Sequence, residues 1–384
     1  MVFASKSHTR ISMLKVGVIS LYYNNSNYGG LLQAYALCKV LENSGYDCKQ
    51  ISYDPKSKSS RNTANLKTKI KHPFKMFFYG KWYEDFNKGK QLLKDFELSI
   101  PHTDAVDAQT VSELNKDFDA FICGSDQVWN PQFWRDSYFL AFAEPSKIKI
   151  AYAASMARNQ LTPDEAAHVV KMTGGFRAIS LRETESVEAL QKFDPSFDAQ
   201  VMPDPTLLLT SDEWSQITSE PVVREPYIFA YFLGDNRAVR GSVTTYARSV
   251  GKRIVFINSL LQHNRKWETE HRDVVIPDVG VPAFLSLIKH ADLVITDSFH
   301  GTVFSGIFNV PFLTVNRSKA GSVKSMNSRI TTLMNILGVQ RNTETIEPGK
   351  DYSFSPEEKE LINQALEKQR GRGIAFLRGA LGTI

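Results

Sequence analysis

The chain is poor in cysteine. Of 384 residues only Cys38, Cys48 and Cys123 are cysteine, and no CxxC occurs, so neither a disulfide framework nor a zinc site is expected. A reducing cytoplasm is the simplest home. No apolar run approaches the roughly 20 residues of a membrane helix. Met1 to Ser12 is polar and lacks the apolar core of a signal peptide. The formal net charge is +5, modest for the length and without the dense basic stripe of a nucleic-acid binder. Anionic small ligands or a membrane surface suit it better. There is no GxGxxG, so no dinucleotide site is expected.

What is present is a repeated strand–loop–helix rhythm with polar loops at strand ends. KVGVISLY, from Lys15, reads as a buried strand and breaks into Asn27-Tyr28-Gly29-Gly30 before helical spacing through Leu31, Leu37 and Leu41. The glycines either let a substrate approach the backbone or make an ordinary turn. FDAFIC runs into Gly124-Ser125-Asp126-Gln127, and AISL ends at Arg182. A guanidinium at a strand end can clamp a carboxylate or phosphate, or pair with a neighbouring glutamate. Val201-Met202-Pro203-Asp204-Pro205 is a strand meeting a proline-stiffened turn. The stretch Ala291 to Asn316 packs the most chemistry: the apolar run Leu293-Val294-Ile295, stopping at Thr296, then Asp297, Ser298, His300 and Thr302 at a helix start, then a second strand. Such turns gather free helix amides, and a histidine there can move protons. The plainer reading is a Ser or Asp helix cap beside a packed histidine.

These elements predict an α/β protein with an N-terminal unit over 14–215 and a C-terminal unit over 225–384 that includes a terminal helix. Ser211 to Glu225 reads as the linker. A basic, aromatic insert spans 55–102. It suits an anionic membrane or an extended anionic acceptor, or else it is a solvated helical excursion.

NYGGLLQAYAL, GSDQVWN, ISLRETES, MPDPTLL and ITDSFHGTVFSGIFNVPF followed by NSRITTLM occur in an order that resembles the polysaccharide pyruvyltransferase family. The resemblance runs from about Lys15 to Gly338. It implies two Rossmann-like domains facing across a cleft, GT-B-like, and transfer of pyruvate from phosphoenolpyruvate to sugar hydroxyls as a ketal. That chemistry belongs to capsule, exopolysaccharide or cell-wall polymer assembly, with a saccharide acceptor, lipid-linked ones included, at the inner face of the membrane. The implied donor residues are His300 and Arg182. Some members carry an arginine where this chain has Ser298, which shifts the expected donor contacts to Arg182, Lys324 and Arg329 together with the Gly301 and Thr302 amides. His300 is the expected acid and Asp126 the expected base. Asn27, Tyr28, Gly29, Gly30, Gln33, Gly124, Ser125 and Gln127 are expected on the acceptor side. No metal or cofactor is expected beyond phosphoenolpyruvate as co-substrate. A nucleotide-sugar glycosyltransferase and a non-catalytic carbohydrate-binding protein are the alternatives that share the fold.

Overall fold

The computed structural model describes residues 13–55, 84, 87–158, 160–234, 236–257, 274–276, 279–316 and 327–382. Its frame is two parallel sheets of six strands each. The first comprises β1 (Lys15–Ile19), β2 (Asp47–Gln50), β3 (Ala120–Cys123), β4 (Ile148–Ala154), β5 (Ala178–Leu181) and β6 (Gln200–Val201), in the order β2-β1-β3-β4-β5-β6. The second comprises β7 (Tyr227–Tyr231), β8 (Arg253–Ile257), β9 (Val274–Ile276), β10 (Leu293–Thr296), β11 (Phe312–Val315) and β12 (Asn342–Thr343), in the order β12-β11-β10-β7-β8-β9. AFIC of β3 and LVIT of β10 are buried at every residue. Such unbroken apolar strands are what a parallel sheet covered on both faces requires.

Each sheet reverses its direction of growth once, the first between β1 and β3, the second between β7 and β10. Crevices open at such reversals, outside the carboxyl ends of the strands, and ligands bind there. The helices that flank them are α1 (Tyr28–Asn43), α2 (87–99), α3 (Pro163–Thr173), α4 (Thr184–Phe193), α5 (Ser211–Ser215), α6 (Arg237–Ser249), α7 (Val281–Lys289), α8 (Phe299–Ile307), α9 (Asn327–Leu337) and α10 (Pro356–Leu381). Helices α3, α5 and α10 begin with reciprocal capping boxes, Thr162/Glu165, Thr210/Glu213 and Ser355/Glu358. Each box satisfies amides that the first turn leaves without partners.

The halves share one apolar core. Tyr28 stacks on Phe284 of α7, with centroids 4.4 Å apart, and its hydroxyl donates to the Val279 carbonyl at 2.7 Å. The expected linker opens with an anchor. Trp214 of α5 is fully buried and meets Phe304 of α8 at 4.8 Å and Tyr35 of α1 at 5.6 Å.

Sequence order assigns α10 to the second half, but the helix serves both. Asn309 Nδ2 donates to Asn363 Oδ1 at 2.7 Å near its start, whereas Arg372 Nη2 donates to the Val201 carbonyl at 3.2 Å. Tyr46 then donates to the Gly382 carbonyl at 2.9 Å. At the crossing, a Cβ on Gly373 would stand 2.5 Å from both Leu208 Cδ2 and the Tyr152 hydroxyl. A glycine that weakens the helix in isolation is what lets it seat on the first sheet.

Of the basic, aromatic insert, α2 is described. It packs Phe96 against Tyr35 at 5.7 Å and is followed by buried Ile100. Lys67, Lys69, Lys71 and the aromatics up to Tyr83 lie outside the described residues. No described helix is long and apolar enough to cross a membrane.

Candidate active site

His300 stands in the first turn of α8, at the second sheet's reversal. Asp297, just after β10, accepts from the Leu233 and Gly234 amides at 2.7 and 2.6 Å and so ties the ends of β7 and β10 together. Ser298 caps the helix, its Oγ accepting from the Gly301 amide at 3.3 Å. The cap sets where α8 begins and therefore where His300 points.

The first half brings an arginine and three carboxylates to the same place. Arg182, 2% exposed, ends β5 and donates from Nη1 to Asp204 Oδ2 at 2.7 Å. Its Nη2 lies 3.6 Å from Asp126 Oδ1, and its Nε lies 3.6 Å from Glu183 Oε1. The guanidinium also faces the Phe299 ring at 4.7 Å. Burial alone would disfavour its charge, but Asp204, Glu183 and Asp126 overcome that and hold its pKa above the ordinary value. Asp126 sits at φ +65° after β3, its carbonyl accepting from the Val128 and Ser155 amides at 2.8 and 2.9 Å. Glu183 takes a hydrogen bond from Ser155 Oγ. Asp204 accepts from the Thr206 amide and hydroxyl at 3.0 and 2.7 Å.

The two halves meet at His300. Its Nε2 is 3.7 Å from Asp204 Oδ2, within reach of a charge pair but too long for a hydrogen bond. The imidazole also lies against the first turn of α1, where a Cβ on Gly29 would stand 2.0 Å from Nδ1. Gly29 is therefore glycine where His300 occupies its side-chain space. Gly29→Ala should displace the ring and cost on the order of 10²-fold in turnover, the usual penalty for an ångström-scale misplacement. Alanine itself favours a helix interior by about 1 kcal/mol, so α1 should stay folded. In a His300→Gln background the same change should add little further loss. Full additivity of the two losses would show that Gly29 acts elsewhere.

Three buried nitrogens here have no hydrogen-bond partner among the described residues: Arg182 Nε, Arg182 Nη2 and His300 Nε2. Glu183 Oε2 and Ser186 Oγ, at the start of α4, are buried and unpartnered as well. Buried polar atoms are nearly always satisfied, so a cluster of exceptions marks a place where a ligand or water completes the set.

Other expected site residues turn out to hold the scaffold. The Thr302 amide donates to the Ser298 carbonyl at 3.0 Å and its hydroxyl pairs with Thr314 at 2.8 Å, so neither is offered to a ligand. The Gly301 amide is taken by the Ser298 cap. Tyr28 bolts the halves together. Gln33, fully buried, donates to Ser20 Oγ and the Gly30 carbonyl and accepts from the Ser125 amide at 3.0 Å. Ser125 Oγ donates to the Ala153 carbonyl at 2.9 Å, and the Gly124 amide donates to the Ile19 carbonyl at 3.0 Å. Gly30 packs against Asn25. Asn27 caps α1, accepting from the Gly29 amide at 3.0 Å, and Gln127 accepts from Asn130 Nδ2 at 3.1 Å. These last two are half-buried. Arg329 is buried on α9, the helix whose Thr332 hydroxyl reaches Glu185 at 3.5 Å. Lys324 lies outside the described residues. Asp204 and Glu183 were not expected. Their signals were a carboxylate between two prolines after a strand, and a glutamate directly following the strand-end arginine.

A family model described as polysaccharide pyruvyl transferase matches residues 27–319, a span that holds Gly29, Asp126, Arg182, Glu183, Asp204 and His300. The chain belongs to that family. The family match ends before α10, the helix that ties the pyruvyl transferase halves together. Among solved structures, the fold is similar to the UDP-GlcNAc 2-epimerase of Neisseria meningitidis bound to UDP-GlcNAc, at 10% identity and TM-score 0.52, covering 96% of this chain and 99% of that one. It is also similar to the N-terminal domain of Candida albicans trehalose-6-phosphate phosphatase, at 8% identity and TM-score 0.51, covering 99% and 98%. At such identities these likenesses establish the two-sheet α/β fold alone. No protein with a curated function matches the chain.

Proposed function

We propose that this pyruvyl transferase moves pyruvate from phosphoenolpyruvate onto two hydroxyls of a sugar as a ketal, in the assembly of a surface polysaccharide. The observation that carries the reading is the set of buried nitrogens of Arg182 and His300 that have no hydrogen-bond partner among the described residues, contributed by different halves of the chain. Nε and Nη2 are the side-on edge of a guanidinium, which takes a planar carboxylate through two parallel hydrogen bonds. Phosphoenolpyruvate carries such a carboxylate directly beside its enol carbon. Arg182 is no spare cation, since three carboxylates surround it. With the Gly301 and Thr302 amides taken, phosphate is better held by the Phe299 and His300 amides of the first turn of α8 and by Lys324, the remaining candidate from the sequence.

In this scheme His300 Nε2 gives its proton to the enol methylene, which becomes the ketal methyl. C2 turns electrophilic and a sugar hydroxyl attacks it. Asp126 takes that hydroxyl's proton: at 8% exposure it is the most accessible of the carboxylates, against 0% for Glu183 and 1% for Asp204. The second hydroxyl replaces phosphate at C2, and its proton leaves with the phosphate. The half-buried Asn27 and Gln127 border the acceptor's side. A lipid-linked acceptor would place this reaction at the cytoplasmic face of the membrane. Purified protein given phosphoenolpyruvate and a candidate saccharide should release phosphate only when both are present, with one ketal formed per phosphate. Turnover of a nucleotide sugar such as UDP-GlcNAc without phosphoenolpyruvate would point instead to glycosyl transfer.

A further inference from the structure

Asp204 lies in Met202-Pro203-Asp204-Pro205-Thr206, just after β6. Its carboxylate has no rotational freedom: Oδ1 accepts both the amide and the hydroxyl of Thr206, and the flanking prolines stiffen the backbone. Oδ2 is thereby aimed at three groups, Arg182 Nη1 at 2.7 Å, Ser125 Oγ at 3.3 Å and His300 Nε2 at 3.7 Å. The first two hold it from within the first half, and the third belongs to the other half. Among the described residues, the other ionisable groups around this contact are Asp126 and Glu183, each 3.6 Å from Arg182, and the buried Tyr152 hydroxyl, which feels the Asp204 charge. From α1 the ring meets uncharged Gly29, and from its own helix Phe299, with centroids 5.1 Å apart.

The geometry points to Asp204 as the positioning residue of His300: its clamped Oδ2 aims Nε2 across the junction of the halves and keeps a proton there until the substrate takes it. The inference rests on His300 being the acid of the proposed transfer. At 3.7 Å the Nε2–H is not consumed by a hydrogen bond, so it remains available to a carbon atom, yet the negative charge is near enough to stabilise the imidazolium. Asp204 makes and breaks no bond. The proton passes from Nε2 to the methylene carbon, the ring becomes neutral, and a proton released by the acceptor hydroxyls or solvent restores it. Burial would raise the pKa of Asp204, but His300, Arg182 and the Thr206 amide outweigh it and hold it well below the usual carboxylate range. Asp204 is therefore charged throughout neutral pH.

The test is the pH profile of pyruvyl transfer in Asp204→Asn, which keeps the shape and removes the charge. Transfer needs the acid form of the histidine, so activity falls as pH rises. In the variant that fall should move to lower pH, the direction expected when an opposite charge 3.7 Å away is lost. Turnover should drop while the KM for phosphoenolpyruvate changes little. Asp204→Glu should restore the position of the fall in part but not the turnover, because the longer side chain leaves the Thr206 clamp. Should Asp204→Asn not fold, Thr206→Ala reads the same point: turnover falls with the pH profile unmoved. A profile of Asp204→Asn superimposable on wild type, or a change in KM alone, overturns the positioning role. In the fallback variant, unchanged turnover does the same. Wild-type protein that transfers no pyruvate at all sinks the functional reading itself, a result separable from either of these.

Discussion

His300→Gln is expected to lower turnover by on the order of 10²–10⁴-fold, the range over which a positioned acid contributes. The motive is that Nε2 is buried, has no hydrogen-bond partner among the described residues and lies next to the Asp204 charge, while the ring fills the space over Gly29. Glutamine fills similar volume, so the contact between halves should survive and a thermal melt should shift little. The donor KM should change far less than turnover, because the side-on edge of Arg182 is untouched. Steady-state kinetics separate the two quantities. Near-normal turnover in a folded variant would make His300 a packed residue beside a serine cap, the plainer alternative that its sequence context allowed.

Arg182→Ala should act first on stability. It strands Asp204 and Glu183, 1% and 0% exposed, without the cation that balances them. Breaking a buried ion pair from one side typically costs about 3–5 kcal/mol, a large share of the roughly 5–15 kcal/mol that holds a protein folded. Urea denaturation should show it directly. Arg182→Lys keeps the charge and should recover much of the stability. It should still bind phosphoenolpyruvate poorly, since an ammonium cannot offer the Nε/Nη2 edge. If Arg182→Ala were as stable as wild type and only raised the donor KM, the arginine would be a simple ligand clamp and the surrounding carboxylates would need another explanation.

These two residues were legible in the sequence because chemistry at a strand's carboxyl end is a local pattern. ITDSFHG and ISLRE each show an apolar strand stopping at a polar turn, and the structure places both at the junction of the sheets. Asp126 was singled out by the same rule in CGSDQ and lies 3.6 Å from Arg182. Asp204 was hidden because a carboxylate between two prolines reads equally well as a stiff turn. What makes it part of the site is its contact with His300, almost a hundred residues away in the chain. Tyr28, expected on the acceptor side, has Phe284, Tyr231 and the Val279 carbonyl as its partners. Thr302 looked like a helix-start amide open to anions, yet the Ser298 cap places it one turn inside, where its amide is already spent. Local patterns marked where chemistry gathers. Which of those groups hold the scaffold depended on long-range partners that no window of sequence contains.

In the proposed transfer a proton reaches the enol methylene of phosphoenolpyruvate while a sugar becomes its ketal. Running the transfer in D₂O and examining the product by mass spectrometry tests this most directly. One deuterium is expected in each newly formed ketal methyl, with phosphate released in equal amount and both rates falling together in His300→Gln. A product carrying no deuterium in that methyl, or one formed without phosphoenolpyruvate, would contradict it.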